Sequence, residues 1–146
     1  MAVSGRWYGL GAKNVAEGGV LWKTSGGSTI KCALFTDSYT PNLDTDSLYS
    51  ELTGEVANGN GYTTGGATLT TTASTYTGAT NTVAMDADDV TWSSSTITAR
   101  YAVIYVSTSS QLLGYIDFGT NMSSSNGDFK ITWASTGVLK MVVSEA

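Results

Sequence analysis

A chain of 146 residues with 13% charged residues and one cysteine is long enough for one domain whose core needs neither disulfide nor metal. Its net charge of −5 works against nucleic acid, which takes clustered Lys or Arg to displace counterions. Here Arg6, Lys13, Lys23, Lys31, Arg100, Lys130 and Lys140 are scattered, and histidine is absent, which removes the usual general base and every Ser-His or Cys-His arrangement.

The charged share is well below the roughly 25% of an average domain. Ser, Thr and Gly take its place, a composition suited to strands, tight turns and a surface packed against other chains. The opening MAVSGRWYG has no basic stretch followed by an apolar run, so no signal peptide is expected. No apolar run approaches the roughly 18 residues of a membrane helix. The expectation is a protein made and assembled in a cytoplasm, with neither membrane nor nucleic acid as partner.

In chain order, WYGLGAKNVAEGGVLW, Trp7 to Trp22, reads either as an extended arm or as two short strands around AEGG. Glycines 5, 9, 11, 18 and 19 make a free arm costly to order. Arg6, Trp7 and Tyr8 at its tip are candidate protein-interface residues, since aromatic and Arg side chains anchor interfaces. The alternative is an edge strand of the same domain. STIKCALF, Ser28 to Phe35, is a strand bounded by turn residues, and Cys32 within it reads as a small buried side chain. Pro41 to Val56 is the one segment with helical spacing: Asp44 or Thr45 as N-cap, Leu48, Tyr49 and Leu52 on one face, Gly54 as stop.

Strands are expected over Ala67 to Thr77, Asn81 to Ala87, Thr96 to Val106, Leu112 to Gly119, Asp128 to Trp133 and Gly137 to Val143. In the strongest, period two puts Ile97, Ala99, Tyr101, Val103 and Tyr105 on one face. Arg100, Ala102, Ile104 and Val106 lie on the other. That strand enters at a rim and ends buried on both sides, with Tyr101, Val103 and Ile104 in the core. The pattern predicts an all-β, single-domain antiparallel sandwich or barrel-like fold, jelly-roll-like, spanning 1–146. One short helix and an N-terminal arm or edge strand over 1–22 complete it.

Chemistry has few places to sit. GNGYTTGG, Gly59 to Gly66, lacks the strand-loop-helix frame of a phosphate cradle and reads as a turn. DADD puts Asp86, Asp88 and Asp89 close together, as a metal site, a catalytic pair or a polar corner. It lacks the glycine and distal Glu of a calcium loop. A corner is favoured, with carboxylates accepting backbone N–H groups and one pairing with Arg100. The expectation is a protein without hydrolase activity or cofactor that needs no metal to fold. NMS at Asn121 to Ser123 fits the glycosylation pattern by chance. Most aromatics read as core, the rest as a carbohydrate platform or a protein contact.

The blocks TIKCALFTDSYTPNLDTDSLYSELTGEV, GNGYTTGGATL, NTVAMDADDVTWSSSTITARYAVIY, LLGYIDFG and SSSNGDFKITWASTGVLKM together resemble a family of small structural proteins encoded in tailed bacteriophage genomes. The resemblance runs from about Thr29 to Met141. It implies a virion component without enzymatic activity. Its first expected role is a capsid decoration (cement) protein that binds the major capsid protein on the particle exterior. A tail, neck or fibre module and a virion-surface carbohydrate-binding module are the alternatives. Icosahedral shells repeat symmetric positions, so a homo-oligomer is expected, a trimer at three-fold positions with a two-fold dimer as its rival.

Overall fold

The computed structural model describes residues 2–144. In chain order it contains β1 (Ala2–Val3), β2 (Arg6–Trp7), α1 (Gly9–Ala16), β3 (Ile30–Phe35), a single 3-10 turn (Tyr49–Glu51), β4 (Ala67–Thr68), β5 (Ala73–Thr77) and β6 (Thr82–Asp86). Then come β7 (Val90–Ser95), β8 (Thr98–Val106), β9 (Leu112–Ser123), β10 (Gly127–Trp133) and β11 (Leu139–Val142). They form a five-stranded sheet, β2-β9-β8-β3-β4, and two three-stranded sheets, β1-β10-β7 and β11-β6-β5. Every pairing is antiparallel except β1 on β10. The chain is an all-β, sandwich-like domain.

One core joins all three sheets. Cys32 and Leu34 of β3, Ala102 and Ile104 of β8, Trp92 of β7, Ile131 of β10, Met85 of β6 and Leu139 of β11 meet in it. A second, smaller core lies on the opposite face of the five-stranded sheet. There Ala33, Phe35, Val103 and Tyr105 are covered by Tyr8 and by Tyr39, Tyr49 and Leu52 of the long loop after β3. With both faces covered, β3 and β8 carry unbroken apolar runs rather than an alternating pattern. The burial of β8 begins mixed and is complete from Ala102 to Val106, as its sequence predicts. Tyr101 is half-buried, while Val103 and Ile104 are fully enclosed.

The predicted faces of β8 need one correction. Ile97 and Ala99 belong to the large core together with Ala102, Ile104 and Val106, whereas Tyr101, Val103 and Tyr105 belong to the small one. The ladder with β9 slips between Ala99 and Tyr101. A bulge inverts the parity of a strand, and this one sits at Arg100.

The helix expected over Pro41 to Val56 is reduced to the turn Tyr49–Glu51. Short polar side chains take the backbone donors first: Asn42 Oδ1 accepts from Asp44 N (3.0 Å) and Thr45 N (3.2 Å), and Asp46 Oδ2 accepts from Asn42 N (2.9 Å). Such local bonds compete with a helical ladder. The rest of the loop is tied to the β8–β9 connection through Tyr49 N to Ser110 O (2.7 Å) and Leu112 N to Ser47 O (2.9 Å). The helix that does form, α1, runs through glycines that cost roughly 1 kcal/mol each relative to Ala. Gly11 is there for contact: a Cβ on it would stand 2.5 Å from Leu113 O, so only glycine lets α1 rest on β9. Val90–Ser95, for which the sequence reading expects no strand, is a full strand.

Ile104 is fully buried between the sheets. Ile104→Ala is expected to lower unfolding free energy by about 2–5 kcal/mol, measured by denaturant titration. A loss below about 0.5 kcal/mol would contradict this placement.

Candidate interaction surface

The N-terminal segment is stitched into the domain. β1 pairs with β10 and β2 with β9, so one short extended stretch bridges two sheets. Gly5 N donates to Val138 O (2.6 Å), Tyr8 N to Leu113 O (3.0 Å) and Gly9 N to Leu43 O (2.9 Å). Of the three candidate interface residues, Arg6 is exposed, Trp7 is half-buried and Tyr8 is fully enclosed. The Tyr8 hydroxyl lies 2.6 Å from that of Tyr39, which donates to Asp46 Oδ2 (2.7 Å). Tyr8 is therefore a core residue in this fold: burial of its ring and satisfaction of its hydroxyl are both internal. The segment is an edge strand followed by a helix, and the reading as a free arm is corrected.

Trp7 keeps a place on the surface. Its indole N–H donates to Lys140 O of β11 (2.8 Å), and its ring lines a groove of about 410 Å³ between α1 and β11. Ala12 and Val15 of α1 and Met141 and Val142 of β11 form the walls, and Lys140 stands at the rim. Val142 in its wall is 61% exposed, and Val143 beyond β11, Leu10 on α1 and Leu43 beside the first turn of that helix are further exposed apolar side chains. A smaller hollow of about 170 Å³ opens between the far end of β9 and β10, over Phe118, Met122 and Phe129, with Asp128 and Lys130 beside it.

The three acidic residues of DADD do separate work, Asp88 and Asp89 through their carboxylates and Asp86 through its backbone carbonyl. Asp88 Oδ2 accepts from the Thr70 (3.1 Å) and Thr71 (2.6 Å) hydroxyls. Asp89 Oδ1 accepts from Trp133 N (3.0 Å), and its other oxygen faces Lys130 Nζ at 3.6 Å. Backbone carbonyls of Asp86 and Asp88 accept the indole N–H groups of Trp22 (2.8 Å) and Trp133 (3.0 Å). The polar-corner reading fits, except for its expected partner: Arg100 pairs instead with Asp117 across β8 and β9 (2.8 Å). That pair holds the Asp117 carboxyl below its ordinary range. Among the described residues no three His, Cys, Asp or Glu side chains gather in a metal-holding group.

A network that the sequence reading did not anticipate sits under the loop. Glu55 accepts from the hydroxyls of Tyr49 and Tyr62 (2.7 Å for Tyr62) and from Gly65 N (2.7 Å). Tyr105 donates to Gly65 O (2.6 Å), and its ring stacks on Tyr49 at 4.2 Å. Burial pushes the Tyr105 hydroxyl up to about 12 and raises Tyr8, Tyr39, Tyr49 and Tyr62 further. The carboxylate and hydroxyls satisfy one another, and the arrangement holds the loop down on the sheet. Hydrogen-bonding residues separated by 6, 7 and 10 positions carry no periodic signal, which is why sequence alone misses them.

No protein-family model matches the chain, and neither does any curated protein or solved structure.

Two outcomes test this picture. Deleting residues 2–12 removes β1, β2, Tyr8 and half of α1, and is expected to cost several kcal/mol, since truncating one buried aromatic alone costs about 3–5. A truncated protein that melts with the full chain would overturn the edge-strand assignment. Alkaline pH gives the second. Buried tyrosines stay protonated in the folded state above pH 10, while unfolded tyrosines lose their protons near 10. The folded state then binds more protons, so stability falls as pH rises, by about 1.4 kcal/mol per pH unit for each tyrosine held fully protonated. Melting followed from pH 9 to 11.5 should drop steeply, and tyrosinate absorbance from the buried set should appear only with unfolding.

Proposed function

We propose that this protein is a structural component of a tailed-bacteriophage virion, a decoration (cement) protein on the capsid exterior that clamps neighbouring major capsid protein subunits. The observation that carries the reading is the groove between α1 and β11, an apolar hollow lined by Trp7, Ala12, Val15, Met141 and the exposed Val142. Contiguous exposed apolar surface rimmed by polar groups marks contact sites on soluble domains. Low charge and a Thr-rich, Gly-rich surface support the same reading, because many small neutral contacts cost little desolvation. The likeness of Thr29 to Met141 to phage structural proteins supplies the kind of partner. In this role the protein binds and stabilises, without cofactor or turnover.

The carbohydrate-binding alternative calls for a row of coplanar exposed aromatics. Among the described residues Tyr76 is the one aromatic that stands well exposed, so that reading has little to rest on. A tail, neck or fibre site remains the rival.

The test uses shells lacking this protein. Wild type is expected to bind them saturably. Val142→Glu and Lys140→Glu, both at exposed positions, are expected to weaken binding by about tenfold or more with unchanged melting. Binding to isolated tails instead of shells would favour the rival, and binding to neither would sink the virion reading.

A further inference from the structure

An unpaired row of N–H and C=O groups at a sheet edge templates another strand, and folds guard such edges with brevity, charge, proline or bulges. This fold guards its edges in those ways at all but one place. β1, β2 and β4 are two residues long. β7 is interrupted by Ser94 at φ 49°, and its ladder with β10 slips between Gly127 and Phe129. β11 carries Lys140, whose carbonyl is taken by the Trp7 indole. β5 has no such guard. Its five residues, Ala73–Thr77, run in unbroken register against β6 and include neither charge nor proline. Ser74 to Thr77 are exposed. Beyond β6, the backbone bond to β5 among the described residues is Thr80 N to Thr77 O, inside its own turn. Alternate residues of an antiparallel strand point their N–H and C=O away from the partner, so those groups of β5 face water.

We propose that the free edge of β5 pairs antiparallel with β5 of a second copy of this chain, across a two-fold axis through Thr75. Charge selects this occupant. Two copies carrying −5 each repel, and contact is cheapest where neither brings a charge. No charged residue lies between Glu55 and Asp86, a stretch that contains the whole β5–β6 hairpin. The strand is also its own complement. Centring on Thr75 sets it against Thr75 of the second copy, Ser74 against Tyr76 and Ala73 against Thr77. Tyr76, 53% exposed in the single chain, gains cover from the facing strand. The nearby side-chain bonds, Ser74 Oγ to Trp22 O and Thr72 Oγ1 to Lys23 O, anchor the start of the strand. Pairing closes two three-stranded sheets into one of six strands. The contact is isologous, so it gives the two-fold dimer in place of the expected trimer. It concerns the free protein and stands apart from the virion reading.

Sedimentation of the full chain tests it. Wild type is expected to show a concentration-dependent monomer–dimer equilibrium. Thr75→Lys and Thr75→Glu each place like charges face to face on the axis and are expected to weaken dimerisation by about tenfold or more. Their melting should be unchanged, because Thr75 is exposed. An equal mixture of the two variants is expected to restore the dimer, a result that a merely unfolded or sticky hairpin would not give. A monomeric wild type at millimolar concentration, variants that dimerise like wild type, or a mixture that stays monomeric would each overturn the proposal.

Discussion

Covering both faces of one sheet is the constraint from which the rest of the structure follows. β3 and β8 run through the middle of the five-stranded sheet and are apolar on both sides. One side is met by two other sheets. The other has no sheet or helical layer of its own, only the loop after β3 and the N-terminal segment. Loops bring polar backbone with them, and buried polar groups are costly unless paired. Tyrosine solves this at small expense, since each ring supplies apolar area and each hydroxyl a partner. Hence the chains Tyr8–Tyr39–Asp46 and Tyr49–Glu55–Tyr62, and hence a core whose integrity is tied to tyrosine protonation.

The N-terminal segment follows from the same requirement. Without Tyr8 the small core would lie open, and without β1 and β2 two sheets would lose a shared edge. Its glycines, read as flexibility, serve contact instead: α1 can approach β9 because Gly11 has no Cβ. What remains available outside is the side of α1 turned toward β11, with Trp7 beneath it. A segment that suggests a reaching arm thus becomes the wall of a groove.

Strand content was legible because β-branched runs and Gly/Ser breaks report local preferences that the fold keeps. IKCALF and TARYAVIYV lie almost where the sequence puts them. Misjudged elements are those decided by distant partners. A helical spacing over Leu48, Tyr49 and Leu52 lost to Asn42 and Asp46 side chains and to Ser110, 61 residues on from Tyr49 by backbone bonding. An eight-residue helix with two glycines formed because β9 offered a surface. Arg100 took Asp117 on the adjacent strand β9 rather than the acids of DADD, which are nearer in sequence. At the candidate surface, Trp7 was visible as an aromatic candidate, but Met141 and Val142, which share its groove, read as the end of an ordinary strand.

Edge protection links the fold to its surface chemistry. A highly charged β domain can leave edges bare, because repulsion keeps copies apart. This chain has few charges to spend and places none from Val56 to Met85, so its other edges rely on geometry: two-residue strands, a left-handed serine, an indole over a carbonyl. Against that background, one regular and uncharged edge is a specific departure. Where brevity, a kink or a capped carbonyl closes every other edge, the open one is where the fold leaves backbone donors and acceptors in place for another strand.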